Sequence, residues 1–313
     1  YTVFYKSFGK ETRMLIFHYA SLETFKSIIE NHCIWLCDIQ KSNDSTERTY
    51  FEQVLLDAID NFIDDPSDIK QFSPYVEKAL LAFKSTYYSQ RPDIPPIYSA
   101  SFSLDGDLLG QWRAYAGDGT GVSIGFSRDM FNKAFHGNDG WTVEYDKSAA
   151  ELACHSKIIT TLQACATQFR ADEKRFLNFF ALTLLQFMDL KNMFYKHSQF
   201  KEEQEYRIVY RGDAPFYSRY YDNPITDTAL SISNLRDIPA DCGFVPSKRK
   251  YRISNNRLSS YYALSFDDIR EHIISKIILG PKCQTDPADI KIFLKDYGYD
   301  GNIRIQRSEI PYR

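Results

Sequence analysis

The chain has 313 residues, 43% hydrophobic and 25% charged, with a formal net charge of −3. That composition belongs to a folded protein with a sizeable core. The slightly acidic balance excludes bulk electrostatic capture by nucleic acid or an anionic membrane, so only local basic patches can speak for such partners.

In chain order, "RMLIFHYA" reads as a strand and "SLETFKSIIENH" as a helix, with Ser21 as N-cap and Leu22, Phe25, Ile28 and Ile29 on one face. "IWLCD" is a second strand, and "IQKSNDSTER" a polar loop carrying Asn43, Asp44 and Glu47. From Thr49 to about Tyr88 helical spacing appears twice, broken at "DDPSD", and "IPPIYSASFSL" gives a strand after two prolines. "DGDLLGQWRAYAGDGTG" holds a short helix and a glycine loop, followed by the strands "VSIGFS" and "GWTVEYD". Lys147 to about Tyr195 reads as two helices joined near "RADEKR", an insertion expected to cover one side of the sheet. The strands "EYRIVY", "KYRIS", "SYYALSF" and "ISKIILG", the helix "DPADIKIFLKDYG" and the strand "NIRIQR" complete the order. Strands and helices mix without regular βαβ alternation, so the expected class is α+β. No linker-like stretch divides the chain, which reads as one domain over residues 1–313 with helical insertions at about 49–88 and 147–195.

Six cysteines in no disulfide-framework pattern fit reduced thiols in a cytoplasm. Cys33 and Cys37 flank a strand-like segment beside His32 without a second ligand pair at zinc spacing, so no metal is expected. The longest apolar run, Phe179 to Phe187, is short for a membrane span, and no secretory leader is legible from Tyr1 onward. Neither dinucleotide-binding nor P-loop glycine patterns occur; "GDGTG" precedes a strand rather than a helix, so it reads as a turn. A serine-nucleophile elbow is likewise missing.

Three features at strand boundaries remain: His18-Tyr19, Ser101-Phe102-Ser103 and Glu203-Gln204-Glu205. Singly, each has an ordinary reading: a packed histidine, a common strand tripeptide, and a solvated acidic turn guarding a strand edge. In this order they resemble the ADP-ribosyltransferase superfamily. The segments "HYASLETFKSIIENHCIWLCDIQKSNDSTE", "SFSLDGDLLGQWRAYAGDGTGVSIGFS", "FKEEQEYRI" and "IILGP" are also similar to a bacterial family known only as a domain of unknown function, DUF2971. That second resemblance spans more of the chain and implies no activity. The first implies a split, mixed or antiparallel sheet core with helical insertions, NAD as substrate, and ADP-ribose transfer to a macromolecular target or to water.

Under that resemblance Glu205 stabilises the oxocarbenium-like state of nicotinamide–ribose cleavage and Glu203 orients the acceptor. His18 donates to ribose hydroxyls, Tyr19 offers an aromatic face, and Ser101 holds Glu205, with Ser99 and Ser103 on the same strand face. The motif here is S-F-S where the superfamily more often has S-T-S.

"GQWRAY" adds Trp112, Arg113 and Tyr115. Arg113 could clamp a pyrophosphate, or pair with Asp105 or Asp107 while Trp112 serves the core. Asn43 and Asp44 are turn formers whose loop could also close over a ligand. Lys248, Arg249, Lys250 and Arg252, interleaved with Tyr251, read as a strand edge guarded by cations or as a weak nucleic-acid contact. Two other functions stay open: a nucleotide-sensing or interaction module without turnover, and a metal-dependent nucleic-acid-processing enzyme using Asp44, Glu47 and the glutamates.

Overall fold

The computed structural model describes residues 14–39, 49–90, 97–134, 140–210, 248–254, 256–299 and 301–313. The first half contains β1 (Leu15–Ala20), α1 (Leu22–Asn31), β2 (Cys33–Asp38), α2 (Tyr50–Asp64), α3 (Val76–Gln90), β3 (Tyr98–Ser103), α4 (Leu109–Tyr115), β4 (Val122–Ser127) and α5 (Arg128–Ala134). There follow β5 (Trp141–Thr142), α6 (Lys147–Gln168), α7 (Glu173–Asn192), β6 (Glu205–Tyr210), β7 (Lys250–Ser254), β8 (Arg257–Ser265), α8 (Arg270–Ile273), β9 (Ile274–Leu279), α9 (Pro287–Asp296) and β10 (Arg304–Arg307).

Local chemistry accounts for several boundaries. The Ser21 hydroxyl accepts from the Thr24 amide to start α1, and His32 ends it in the left-handed region at φ 48°, its N–H returning to the Ile28 carbonyl. Asp146, Asp172 and Asp286 cap α6, α7 and α9 in the same way as Ser21. The glycine loop is spent on chain packing. A Cβ at Gly121 would lie 2.1 Å from the Ala20 carbonyl oxygen, and one at Gly280 would lie 2.3 Å from that of Gly119. Only glycine lets these backbones pair, through Gly280 N–H to the Gly121 carbonyl and Lys282 N–H to that of Gly119.

The strands form one open, mixed sheet, antiparallel among the described pairs except for β9 with β10, consistent with an α+β class. β3 pairs along its whole length with β6, from Tyr98 opposite Tyr210 to Ser103 opposite Glu205. A strand has two edges, so β1 and β2 must share the other. β1 meets it at Phe17 opposite Ser103, and β2 at Cys37 opposite Ser99 and Asp38 opposite Tyr98. The sheet therefore forks at β3, one arm running β1-β4-β9-β10 and the other β2-β8-β7.

One face of the sheet carries the main core: Tyr98, Ala100, Phe102, Ile124, Phe126, Tyr206 and Ile277 pack under Phe25, Ile29, Phe131, Ile290 and Leu294 from α1, α5 and α9. Each such side chain fully buried contributes roughly 1.5–3 kcal/mol. Helices α2, α3, α6 and α7 instead build a second core among themselves, around Phe51, Leu55, Ile59, Phe83, Cys154, Ile158, Phe180 and Leu184. Where a cover for the sheet was expected, the two helical insertions pack chiefly on each other. The end of α7 reaches the sheet through Leu190 and Met193, which contact Ile39 and Ile97.

Candidate functional site

The site begins where the short 3-10 turn Ser198–Glu203 enters β6. Gln204, at φ 46°, reverses the chain, and its carbonyl accepts from Leu104 N–H at the end of β3. In a strand, alternate side chains share a face. Tyr206 and Ile208 enter the main core, which leaves Glu205 and Arg207 on the opposite face beside Ser103 and Ser101, their register partners.

Glu205 and Arg207 form a two-pronged pair, Nε to Oε1 and Nη2 to Oε2, both at 2.7 Å. Arg207 is 0% and Glu205 5% exposed. Lys196, also buried, donates to Glu203 Oε2 at 2.7 Å and to Glu205 Oε2 at 3.4 Å. Arg207 Nη1 is satisfied by the Met193 carbonyl, and the Tyr145 hydroxyl accepts from the Glu205 amide. Burial works against the Glu205 charge. The Arg207 charge and hydrogen bond, Lys196 and the Ser101 hydroxyl outweigh it, holding the carboxyl at about 2. Glu205 is thus a fixed, fully partnered anion.

Glu203 differs. Its side chain keeps 14% exposure while being held by Lys196 and by the Tyr115 hydroxyl at 3.3 Å. Its carbonyl accepts from the Ser103 hydroxyl at 2.8 Å. Tyr115 comes from α4, whose Gly110 lies against the neighbouring Glu202 carboxylate; a Cβ there would be 2.8 Å from Glu202 Oε1. The "GQWRAY" helix and the "EEQE" turn, some 90 residues apart in the chain, form one wall, with exposed Ser101 beside it.

His18 points to the opposite face: its ring meets Phe102 edge-on at 5.7 Å. Its Nδ1 lies 3.0 Å from the Ser101 carbonyl, which the fork leaves between β1 and β2, so the imidazole donates there as the Nδ1–H tautomer. Burial lowers the His18 pKa against the opposing pull of that carbonyl. Tyr19 is 5% exposed, packed edge-on against Trp112 at 4.9 Å. Its hydroxyl donates to the Asp105 carbonyl and accepts from Leu108 N–H, so it offers no ring face to a cleft. Trp112 is fully buried and donates to Asp107 at 2.7 Å, the core reading of this residue. Arg113 is exposed, within electrostatic reach of Asp118 rather than paired to Asp105 or Asp107. Ser99, Ser101 and Ser103 do share a face, and Ser101 is the exposed one. Asn43, Asp44 and Glu47 lie outside the described residues. Lys248, Arg249, Lys250 and Arg252 lie at the far arm, on and before edge strand β7.

Sequence reasoning missed Lys196, Arg207 and Tyr145. Arg207 left a signal: a charge two residues after Glu205 in a strand whose other face is apolar. Lys196 and Tyr145 left none, because they reach the site through the tertiary fold.

Among the described residues no group of three histidine, cysteine, aspartate or glutamate side chains is placed to hold a metal ion. No described helix is long and apolar enough to cross a membrane. The five described cysteines are free thiols. A family model described as a protein of unknown function (DUF2971) matches residues 111–208. The matched stretch runs from Gln111 in α4 to Ile208 in β6, and so contains Tyr115, Lys196, Glu203, Glu205 and Arg207. Neither the curated proteins nor the solved structures yield a match.

Proposed function

We propose that the chain binds NAD on the sheet face bearing Ser101, Tyr115 and Glu203, and cleaves its nicotinamide–ribose bond, passing ADP-ribose to a macromolecule or to water. The observation that supports this most is the difference between the two glutamates of the E-Q-E motif. Glu205 is saturated by Arg207 and Lys196, whereas Glu203 is held in place and still partly exposed. A carboxylate that stabilises a developing ribosyl cation has to be ionised, positioned and reachable. Glu203 therefore takes the reacting role, and Glu205 becomes the positioning residue that fixes Lys196 and Arg207.

The burial of Glu205 favours a second reading, a module that binds nucleotide without turning it over. Purified protein given NAD in the presence of cell lysate separates the two. Nicotinamide release that disappears in Glu203→Gln supports the enzyme. Calorimetric NAD binding without release, in wild type and variant alike, supports the module.

A further inference from the structure

On the arm β2-β8-β7, the face continuous with Ser101 carries aromatic rings beside cations that no described carboxylate pairs. Trp35 and Tyr261 stack with ring centroids 4.2 Å apart and planes at 29°. Arg252 lies 5.5 Å over the Trp35 ring, reaching across Ser259, its register partner on β8. Cys37 stands opposite both Ser99 and Tyr261. Two residues further along each antiparallel strand, beyond the last register pair, Trp35 and Ser101 lie on this same face. Lys250, opposite Tyr261, shares this face.

Trp35, Tyr261 and Arg252 are half-buried, so solvent reaches the platform. Arg252 Nε is buried without a hydrogen-bond partner among the described residues. Among the described residues no carboxylate pairs with Lys248, Lys250, Arg252 or Arg257. In a chain of net charge −3, that concentration on one hairpin of cations that no described carboxylate pairs is a local anion-binding feature.

We propose that this platform binds a nucleotide, its base against Trp35 and Tyr261 and its phosphates on Arg252 and Lys250. Stacking on aromatic side chains is tolerant of base identity, and the guanidinium of half-buried Arg252 suits a phosphate oxygen. A bare phosphate would leave the rings unused, and an apolar ligand would leave the cations unpaired. The same base-plus-phosphate chemistry is offered by a free nucleotide and by a single-stranded nucleic acid. The platform adjoins the Ser101 face proposed for NAD, and ADP, which has no nicotinamide bond to break, reports on the platform whether or not NAD is cleaved.

The test is calorimetric titration of the purified chain with ADP, inorganic pyrophosphate and a short single-stranded oligoadenylate, repeated with W35L, W35F and R252Q whose folding is verified by circular dichroism. ADP is expected to bind more tightly than pyrophosphate. W35L should weaken ADP about tenfold without changing pyrophosphate, and W35F should restore most of the loss. R252Q should weaken both ligands roughly tenfold. Oligoadenylate binding that far exceeds ADP and falls steeply with salt identifies a strand as the source; comparable binding identifies the free nucleotide. Absence of ADP and oligoadenylate binding, or affinities unchanged in both W35L and R252Q, overturns the proposal.

Discussion

Glu52 in the helical cluster and Glu205 in the sheet are both buried, at 3% and 5% exposure, and their surroundings differ in kind. Glu52 receives hydrogen bonds from the Tyr87 hydroxyl at 2.9 Å and from Asn192 at 3.1 Å. Asn192 in turn accepts from the Glu52 amide, and all three residues are at most 3% exposed. That network joins α2, α3 and α7 and faces inward. Glu205 belongs to a network that is as well satisfied but continues outward, through Lys196 to Glu203 and through its hydrogen bond to Ser101. Buried polar groups that bond to one another across helices hold those helices in register. A buried pair that braces partly exposed groups can position them for chemistry.

The largest break in this comparison comes from Arg207→Leu. Removing one partner of a buried pair strands the other, so the variant should lose about 3–5 kcal/mol in urea denaturation. A loss below about 1 kcal/mol would mean that Glu205 does not depend on Arg207.

Acid sharpens the same point. The folded-state pKa of Glu205 lies at about 2, below its ordinary 4.5. The unfolded chain therefore binds the proton first, and the contribution is complete above pH 4.5 and lost as pH falls toward 2. Wild type should shed on the order of 3 kcal/mol more than Glu205→Gln across that window. Parallel pH–stability curves would contradict the pairing.

On the helical side, Glu52→Ala should cost about 1–3 kcal/mol while leaving nicotinamide release per folded molecule unchanged. A selective loss of turnover would dissolve the distinction between the two regions. The smallest effect expected is for Ser101→Ala, which removes one hydroxyl from Glu205 and should cost about 1 kcal/mol, read from the same denaturation curves.

Local periodicity made much of this architecture legible. The alternation in "EYRIVY" marks β6, and 3.6-residue spacing marks all four large helices. Their packing partners were not legible, because Phe51 and Phe180, or Leu55 and Leu184, meet only through the tertiary fold. The fork at β3 depends on pairings between residues 60 or more positions apart, such as Phe17 with Ser103 and Cys37 with Ser99. "GWTVEYD" keeps only Trp141–Thr142 as strand: after Val143 N–H bonds to the Glu205 carbonyl, Glu144 N–H turns away to that of Phe194. Helix α5 follows β4 directly at Arg128; Ser127 stands at the cap position, but its buried hydroxyl has no hydrogen-bond partner among the described residues.

At the site, the sequence identified Glu203, Glu205, Ser101 and Tyr115 but not which glutamate keeps solvent exposure. Exposure depends on Lys196 and Arg207, and only Arg207 left a trace in the strand pattern. Tyr19 and Trp112 have an apolar body and a polar tip, so either could line a cleft or fill a core. Their hydrogen bonds to the 105–108 segment assign them to the core.

The most direct test of the account is a paired measurement on Glu203→Gln: urea stability and nicotinamide release from NAD, each beside wild type. The account predicts a stability loss of at most about 3 kcal/mol, since buried Lys196 loses a charged partner but keeps Glu205, together with release reduced by roughly 100-fold or more. Full release with unchanged stability would contradict the assignment of Glu203 as the reacting carboxylate.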